Sequence, residues 1–434
     1  MNRIWKSEWP GILYKMIKKS LFPIANVKYI NKLNTVRILN LIRNKGGVSR
    51  ADISKESGLS APTVSRIVEN LIEDGLTREI GVGKSSGGRR PTLLEFSGHN
   101  TCIIGIDLGT TNILGILSDL NANILAEVNR PTHVEEGFTR VMERTSGVIS
   151  ELHSHLQGNS KRICGIGMAV AGLINRDRKI VEFSPNFNWH EVDVIAELSK
   201  RHDLPIIFDN VTRVMALGEL WYGIGRQLKN FVCVNVGYGV GAGIIIDGKP
   251  FYGPTGMSGE FGHTTLEKES DIQCDCGNYG CLESLASGNA IAKFARRALK
   301  NKNKSPGILF KLCGGDISRI SAEMVVRAAK QGDQLAGHVF ARAAEYLGIG
   351  IANLVNIFNP EAVVVGGGVA QAGDILFDRV RKTVHARALK KISKDVQIVP
   401  AAFGMKASVM GAVSLIANDV FNLNIQNCVH PNHP

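Results

Sequence analysis

Cys102-Ile-Ile-Gly-Ile-Asp107-Leu-Gly109-Thr-Thr111 is an apolar run that stops at a turn of Asp, Gly and Thr, and a second apolar run, Ile113 to Ser118, follows it. The pattern returns at Phe231-Val-Cys-Val-Asn-Val-Gly237-Tyr-Gly239-Val-Gly241-Ala-Gly243-Ile-Ile-Ile246. Each stretch reads as two strands joined by a tight glycine turn, and a third strand is expected around Ile124 to Arg130. Such a turn can wrap a phosphate with backbone N–H groups and threonine hydroxyls. Two of them in one chain predict two related α/β lobes facing a cleft, with tight structural hairpins as the alternative.

Between the second hairpin and the C-terminal third lies Gly259-Glu260-Phe-Gly262-His263, followed by Cys274-Asp-Cys276-Gly277-Asn-Tyr-Gly280-Cys281-Leu-Glu283. One histidine and three cysteines in this spacing suit tetrahedral Zn²⁺. Four protein ligands leave no open position, so the ion is expected to be structural. The glycines between the thiols suit the turns of a metal knuckle. The other ring nitrogen of His263 then needs an acceptor, which a ligand hydroxyl can supply.

Upstream, the texture is different. Residues 1–100 carry 17 Lys/Arg against 8 Asp/Glu, whereas the whole chain of 434 residues has a net charge of +12, so most of the excess is N-terminal. A basic head on a nearly neutral body suits a nucleic-acid-binding module, and a solvated charged surface is the alternative. Leu33 to Arg43 has helical periodicity. Ser49 can cap a second helix, Arg50 to Ser57, with Asp52 in its first turn and Gly58 supplying the left-handed turn after it. Ser60 can cap a third, with Val64, Ile67, Val68, Leu71 and Ile72 on one face and Thr63, Ser65, Arg66 and Asn70 left outward. That is a helix-turn-helix, whose second helix offers Ser60, Thr63, Ser65, Arg66 and Asn70 to DNA. Thr77 to Ile80 and Pro91 to Phe96 alternate as strands around a glycine-rich tip, giving a wing with Lys84, Arg89 and Arg90 for phosphates or a minor groove. A helical hairpin used only for protein contacts is the alternative. Residues 1–30, with Trp5, Trp9, Tyr14 and Phe22 among lysines, read either as an amphipathic arm or as leader upstream of a start at Met16.

With 44% hydrophobic and 21% charged residues the chain is globular rather than disordered. No apolar run reaches the roughly 18 residues of a membrane helix, and no clean signal-peptide core is present, so a cytoplasmic location and no membrane insertion are expected. The expected divisions are the arm (1–30), the winged head (31–96), a first lobe (100–220, with a C-terminal helix at about 407–420 packing back on it) and a second lobe with the knuckle (221–406).

The helix-turn-helix, the Asp-x-Gly-x-Thr hairpin, Gly-Glu-x-Gly-His and Cys-x-Cys-Gly-x-x-Gly-Cys-Leu-Glu together resemble the ROK family of repressors, open reading frames and kinases, from about Asn31 to about Asn418. The resemblance implies an actin-like, ribonuclease-H-like pair of α/β lobes behind the winged helix-turn-helix. It implies a sugar site at Asn186, Asn210, Glu260, His263 and Glu283. It also implies phosphate- or nucleotide-type turns at Asp107, Gly109, Thr111, Gly237, Gly239 and Gly367, the last in the strand and glycine turn Ile357 to Gly368 over which the kinases place adenosine. His263, Cys274, Cys276 and Cys281 match the zinc knuckle.

The chain departs from the family's kinases at Phe208-Asp209-Asn210-Val211. Kinases of the family read Glu-Asn-Asp there, and alignment on Ala216-Leu-Gly-Glu219 puts Val211 at the catalytic aspartate. Valine cannot accept the sugar proton. Asp209 is two residues too early unless it substitutes, and Tyr238 stands where the phosphate turn has threonine, so neither catalysis nor ATP is expected. The expected function is a sugar-responsive transcriptional repressor of carbohydrate genes. It is expected to be a homodimer or higher oligomer on a pseudo-palindromic operator, released when a monosaccharide or sugar phosphate closes the cleft and alters head spacing. Xylose, glucose, other hexoses and phosphorylated amino sugars all remain open. An active sugar kinase with a DNA-binding head, or a repressor governed by a sugar-transport protein, are the alternatives.

Overall fold

The computed structural model describes residues 27–83, 90–156, 161–300 and 307–421. These fall into two compact units. Among the described residues, one holds those up to Gly98 together with Asp419–Phe421, and the other those of His99–Asn418.

In the first unit, helix α1 (Val27–Lys45) precedes a two-residue strand, β1 (Val48–Ser49), then α2 (Arg50–Ser57), α3 (Ala61–Glu73) and the wing strands β2 (Thr77–Val82) and β3 (Thr92–Phe96). Ser49 caps α2 in full. Its hydroxyl accepts from the Asp52 N–H while the Asp52 carboxylate accepts from the Ser49 N–H, and Gly58 closes the helix in the left-handed region with φ of 68°. At the start of α3 the Ser60 hydroxyl bonds the Thr63 hydroxyl at 2.8 Å and makes no bond to the helix backbone, so Ser60 occupies the cap position without capping through its side chain. Val64, Ile67, Val68 and Leu71 form the buried stripe of α3, beside Ile38, Leu39 and Ile42 of α1 in the buried set; Ile72 is only half-buried. Helix α1 begins six residues before the Leu33 expected from periodicity, and β1 joins the wing as an antiparallel third strand, Val48 opposite Leu94.

The second unit contains the same sheet twice. The strands β4 (Thr101–Leu108), β5 (Asn112–Asp119) and β6 (Ile124–Pro131) form an antiparallel meander, with β7 (Arg162–Val170) and β11 (Ile206–Asn210) added in parallel beside β4, in the order β11-β7-β4-β5-β6. The strands β12 (Phe231–Val236), β13 (Val240–Ile246) and β14 (Lys249–Pro250) repeat the meander, with β15 (Ala362–Gly366) and β16 (Gln397–Pro400) parallel beside β12, in the order β14-β13-β12-β15-β16. A small sheet of β8 (Leu173–Asn175), β9 (Ile180–Ser184) and β10 (Trp189–Val192) is inserted in the first lobe. Near-continuous apolar runs in β7 and β15 fit strands covered on both faces, as parallel sheets require.

Helix Val211–Tyr222 follows β11 directly, and the terminal helix Ala407–Phe421 packs along the first sheet. That packing depends on Gly167: a Cβ there would lie 1.9 Å from the Ala412 carbonyl oxygen. The first core gathers Ile104, Ile106, Ile166 and Met168 with Phe187 and Trp189, and the second gathers Val232, Val234, Val363 and Val365 with the long helix Gln334–Phe358. The two hairpin turns, which fall at the ends of β4 and β12, both line one cleft.

Candidate functional site

The cleft has a volume of about 1530 Å³. Every residue expected for sugar or phosphate lines it: Asn186, Asn210, Glu260, His263 and Glu283, together with Asp107, Gly109, Thr111, Gly237, Gly239 and Gly367. Asn186 arrives on the loop after β9, beside Phe183 and Pro185. Asn210 ends β11 and caps the helix Val211–Tyr222. Its side-chain oxygen accepts from the Thr212 N–H at 2.9 Å and its amide donates to the Gly172 carbonyl at 3.0 Å.

Glu260 stands at the cap position of the short helical turn Phe261–His263, which His263 ends. Gly259 before them has φ of 95° and no space for a side chain, since a Cβ would meet the Ala242 carbonyl oxygen at 1.9 Å; the Ala242 N–H donates to the Gly259 carbonyl at 2.8 Å. The segment is therefore pinned against β13. Burial raises the Glu260 carboxyl above its ordinary value, the charges of His263 and Arg213 pull it back, and Glu283 adds to the rise. Glu283, at the start of helix Leu282–Ala286, reaches back so that its Oε2 accepts from the Val240 N–H at 2.8 Å, beneath the second glycine turn.

His263, Cys274, Cys276 and Cys281 place one donor atom each within 4.8 Å of one another. The Sγ atoms of Cys276 and Cys281 are 3.8 Å apart, and Sγ of Cys274 is 3.7 Å from Nδ1 of His263. A tetrahedron with Zn–S bonds of about 2.3 Å has edges of roughly 3.8 Å, so the donor set fits the ion in both chemistry and size. Burial pushes the Cys274 thiol up to about 12 and raises that of Cys281, so without a cation these thiols keep their protons. The Nε2 atom of His263 points the other way, 3.9 Å from Oε2 of Glu260.

Val211 lines the cleft, and Asp209 does not stand in for the missing base. Its carboxylate is 4% exposed, and its Oδ1 accepts from Nε of Arg213 at 2.9 Å and from the Asn210 N–H at 2.7 Å. The guanidinium of Arg213 also donates through Nη1 to the Ser258 carbonyl at 3.2 Å. Arg213 is missing from the sequence-based set, although its position four residues after Asp209, across a strand–helix junction, is the spacing of an ion pair. Tyr238 is half exposed at the tip of the second turn and lines the cleft. In the same turn the Gly237 N–H is already bonded to the Gly239 carbonyl at 3.0 Å, which removes one phosphate donor. Asp107 lines the opposite wall, and burial pushes its carboxyl up to about 7 against the pull of the Ser408 hydroxyl. Ser408 is a second residue that sequence patterns do not single out, because it lies some 300 residues away on the terminal helix.

On the head, Ser60, Arg66 and Asn70 are exposed on α3 while Thr63 and Ser65 are half-buried, and Arg66 donates to the Asn31 side chain at 3.3 Å. Arg90 is exposed at the base of the wing. Lys84 and Arg89, and the arm up to residue 26, lie outside the described residues. Among the described residues no helix is long and apolar enough to cross a membrane.

Residues 33–76 match a winged helix-turn-helix DNA-binding family. A xylose repressor of Caldicellulosiruptor bescii is 32% identical over 399 residues, covering 92% of this chain and 99% of the relative. A solved ROK family transcriptional regulator, described as a homologue of the E. coli MLC protein, superposes with a TM-score of 0.78 at 30% identity, covering 92% of this chain and 99% of that one. A ROK family glucokinase from Streptomyces griseus, solved in complex with glucose and AMPPNP, has a TM-score of 0.66 at 29% identity and covers 72% of this chain and 98% of its own. Residues 103–419 match the ROK family itself, and the chain belongs to that family.

Proposed function

We propose that the protein is a sugar-responsive DNA-binding repressor, held on its operator by the winged head and released when a monosaccharide or sugar phosphate fills the cleft. One observation carries the reading: the polar set suited to sugar hydroxyls converges in the cleft, while the position of a catalytic base holds Val211 and the neighbouring carboxylate is bound by Arg213. Phosphoryl transfer needs an acceptor for the hydroxyl proton, worth typically about 10²- to 10⁴-fold, and the cleft offers none at that point. The kinship with a xylose repressor and with a regulator of closely similar fold supports a regulator over an enzyme. The glucokinase, solved with glucose, supports a monosaccharide-sized occupant.

The head acts through helix α3 in the major groove, with Thr63, Ser65, Arg66 and Asn70 toward base edges, and Arg90 toward phosphate. A homodimer on a pseudo-palindromic operator supplies two such heads. Zn²⁺ at His263, Cys274, Cys276 and Cys281 is structural: it holds the loop that carries His263 and Glu283 and turns Nε2 of His263 toward the ligand.

The test is calorimetric titration of the zinc-loaded protein with free and phosphorylated monosaccharides, xylose and glucose among them, followed by operator binding in the presence of any sugar that binds. A sugar that binds and weakens operator binding is the expected result. Sugar-dependent ATP hydrolysis would overturn the reading in favour of a kinase, and a protein that binds operator but no sugar would shift control to a partner protein.

A further inference from the structure

Arg213 lies on the first turn of the helix Val211–Tyr222 and is 4% exposed. A buried arginine costs free energy unless its charge is paired and its nitrogens are bonded, and here each of its three nitrogens has a partner, in two different lobes. Two of its nitrogens, Nε and Nη2, face Oδ1 of Asp209, the residue before Asn210 on the first-lobe strand β11. Its third, Nη1, donates to the carbonyl of Ser258, in the second-lobe segment that leads into Glu260. The same Asp209 oxygen accepts the N–H of Asn210. On the other side, the residue after Ser258 is pinned to β13 through the Ala242 N–H. Only a planar, forked cation can meet a carboxylate and a carbonyl in this way at once; a lysine ammonium is a point charge on a flexible stem.

A pair that merely plugged the strand–helix junction would end at Asp209. This one continues into the opposite lobe, and it does so beside two of the groups assigned to the ligand. We propose that Arg213 is a positioning residue that sets Asn210 of the first lobe and Glu260 of the second in register across the cleft, so that a ligand's hydroxyls meet both together. The proposal rests on the reading of Asn210 and Glu260 as ligand-binding groups.

The test uses the full-length zinc-loaded protein and four variants: Arg213→Lys; the doubly neutral Asp209→Asn/Arg213→Gln, which leaves no unpaired buried charge if the first fails to fold; Glu260→Gln; and Arg213→Lys combined with Glu260→Gln. Amide hydrogen exchange of the ligand-free proteins is measured over residues 256–264, followed by titration with the sugar that binds the parent. Arg213→Lys is expected to speed exchange in that segment at least tenfold, weaken sugar at least tenfold and leave operator affinity within twofold. Added to Glu260→Gln, it is expected to cost less sugar affinity than it costs the parent, because part of its effect runs through Glu260. Unchanged exchange over 256–264, or losses that simply multiply in the combined variant, would overturn the positioning role. If the parent binds no monosaccharide, the sugar reading falls by itself, and the exchange rates still decide whether Arg213 holds the segment.

Discussion

At the scale of single residues, the cleft is sensitive to small changes of charge and volume. Asp107 titrates at about 7 in the folded protein against 3.8 when unperturbed, with burial as the main cause. Its protonated form is thus the one that folding favours. The stability this contributes is complete below pH 4 and is lost as pH rises through 7, by at most about 4 kcal/mol at 1.36 kcal/mol per unit. Asp107→Asn, which cannot ionise, should therefore melt like the parent at pH 4 and above it at pH 8, and thermal unfolding across that range measures the difference; a gap that is constant with pH would sink the assignment. Gly239 is a steric case. A Cβ there would stand 2.3 Å from Oε2 of Glu283, so Gly239→Ala should push the carboxylate away, weaken sugar binding at least tenfold and spare operator binding, with calorimetry and operator titration as the paired readouts. The members of the cleft were legible from residue type and motif, because glycine turns, Glu and His at fixed spacing carry their chemistry locally. What Asp209 does was not legible. Its partner Arg213 is near in sequence, but whether a carboxylate at a strand end faces the cleft or the following helix depends on the backbone turn between them.

At the scale of elements, the boundaries that came directly from sequence are those set by side chains that bond their own backbone. Helix α2 is capped by Ser49 and closed by Gly58 for reasons contained in ten residues, and both ends fall where capping chemistry puts them. Strand β1 had no such signal, since two residues have no period, and it exists only because Leu93 and Leu94 of the wing come to pair with it. The four donors proposed for zinc are spread over nineteen positions and come together in one cluster. Chelation of zinc is expected to abolish sugar binding while the separate head keeps its affinity for operator. Because burial keeps the Cys274 and Cys281 thiols protonated, zinc uptake by these thiols should release protons. Calorimetry in buffers of different ionisation heat counts them; uptake without proton release would exclude thiolate ligation.

At the scale of the whole molecule, the repeated sheet order follows from the hairpin read first in the sequence: two similar glycine hairpins became two equivalent meanders, each extended by two parallel strands. The order of the parallel strands was not legible, because β7, β11, β15 and β16 are separated by helices and loops whose lengths carry no pairing information. Two sites in one chain also obey reciprocity. If sugar lowers operator affinity by some factor, commonly about 5- to 150-fold, operator must lower sugar affinity by the same factor. Sugar titrations with and without saturating operator should give matching ratios, and a mismatch would show that sugar changes the state of assembly as well as the affinity of the head. The valine at position 211 gives this coupling its character in time. A receptor that phosphorylated its signal would consume it, and its output would follow the rate of supply, as a flow meter does. In the proposed role, with valine in place of a base, each sugar captured is returned unchanged, so occupancy follows the standing concentrations of sugar and operator and the gene switch behaves as a gauge.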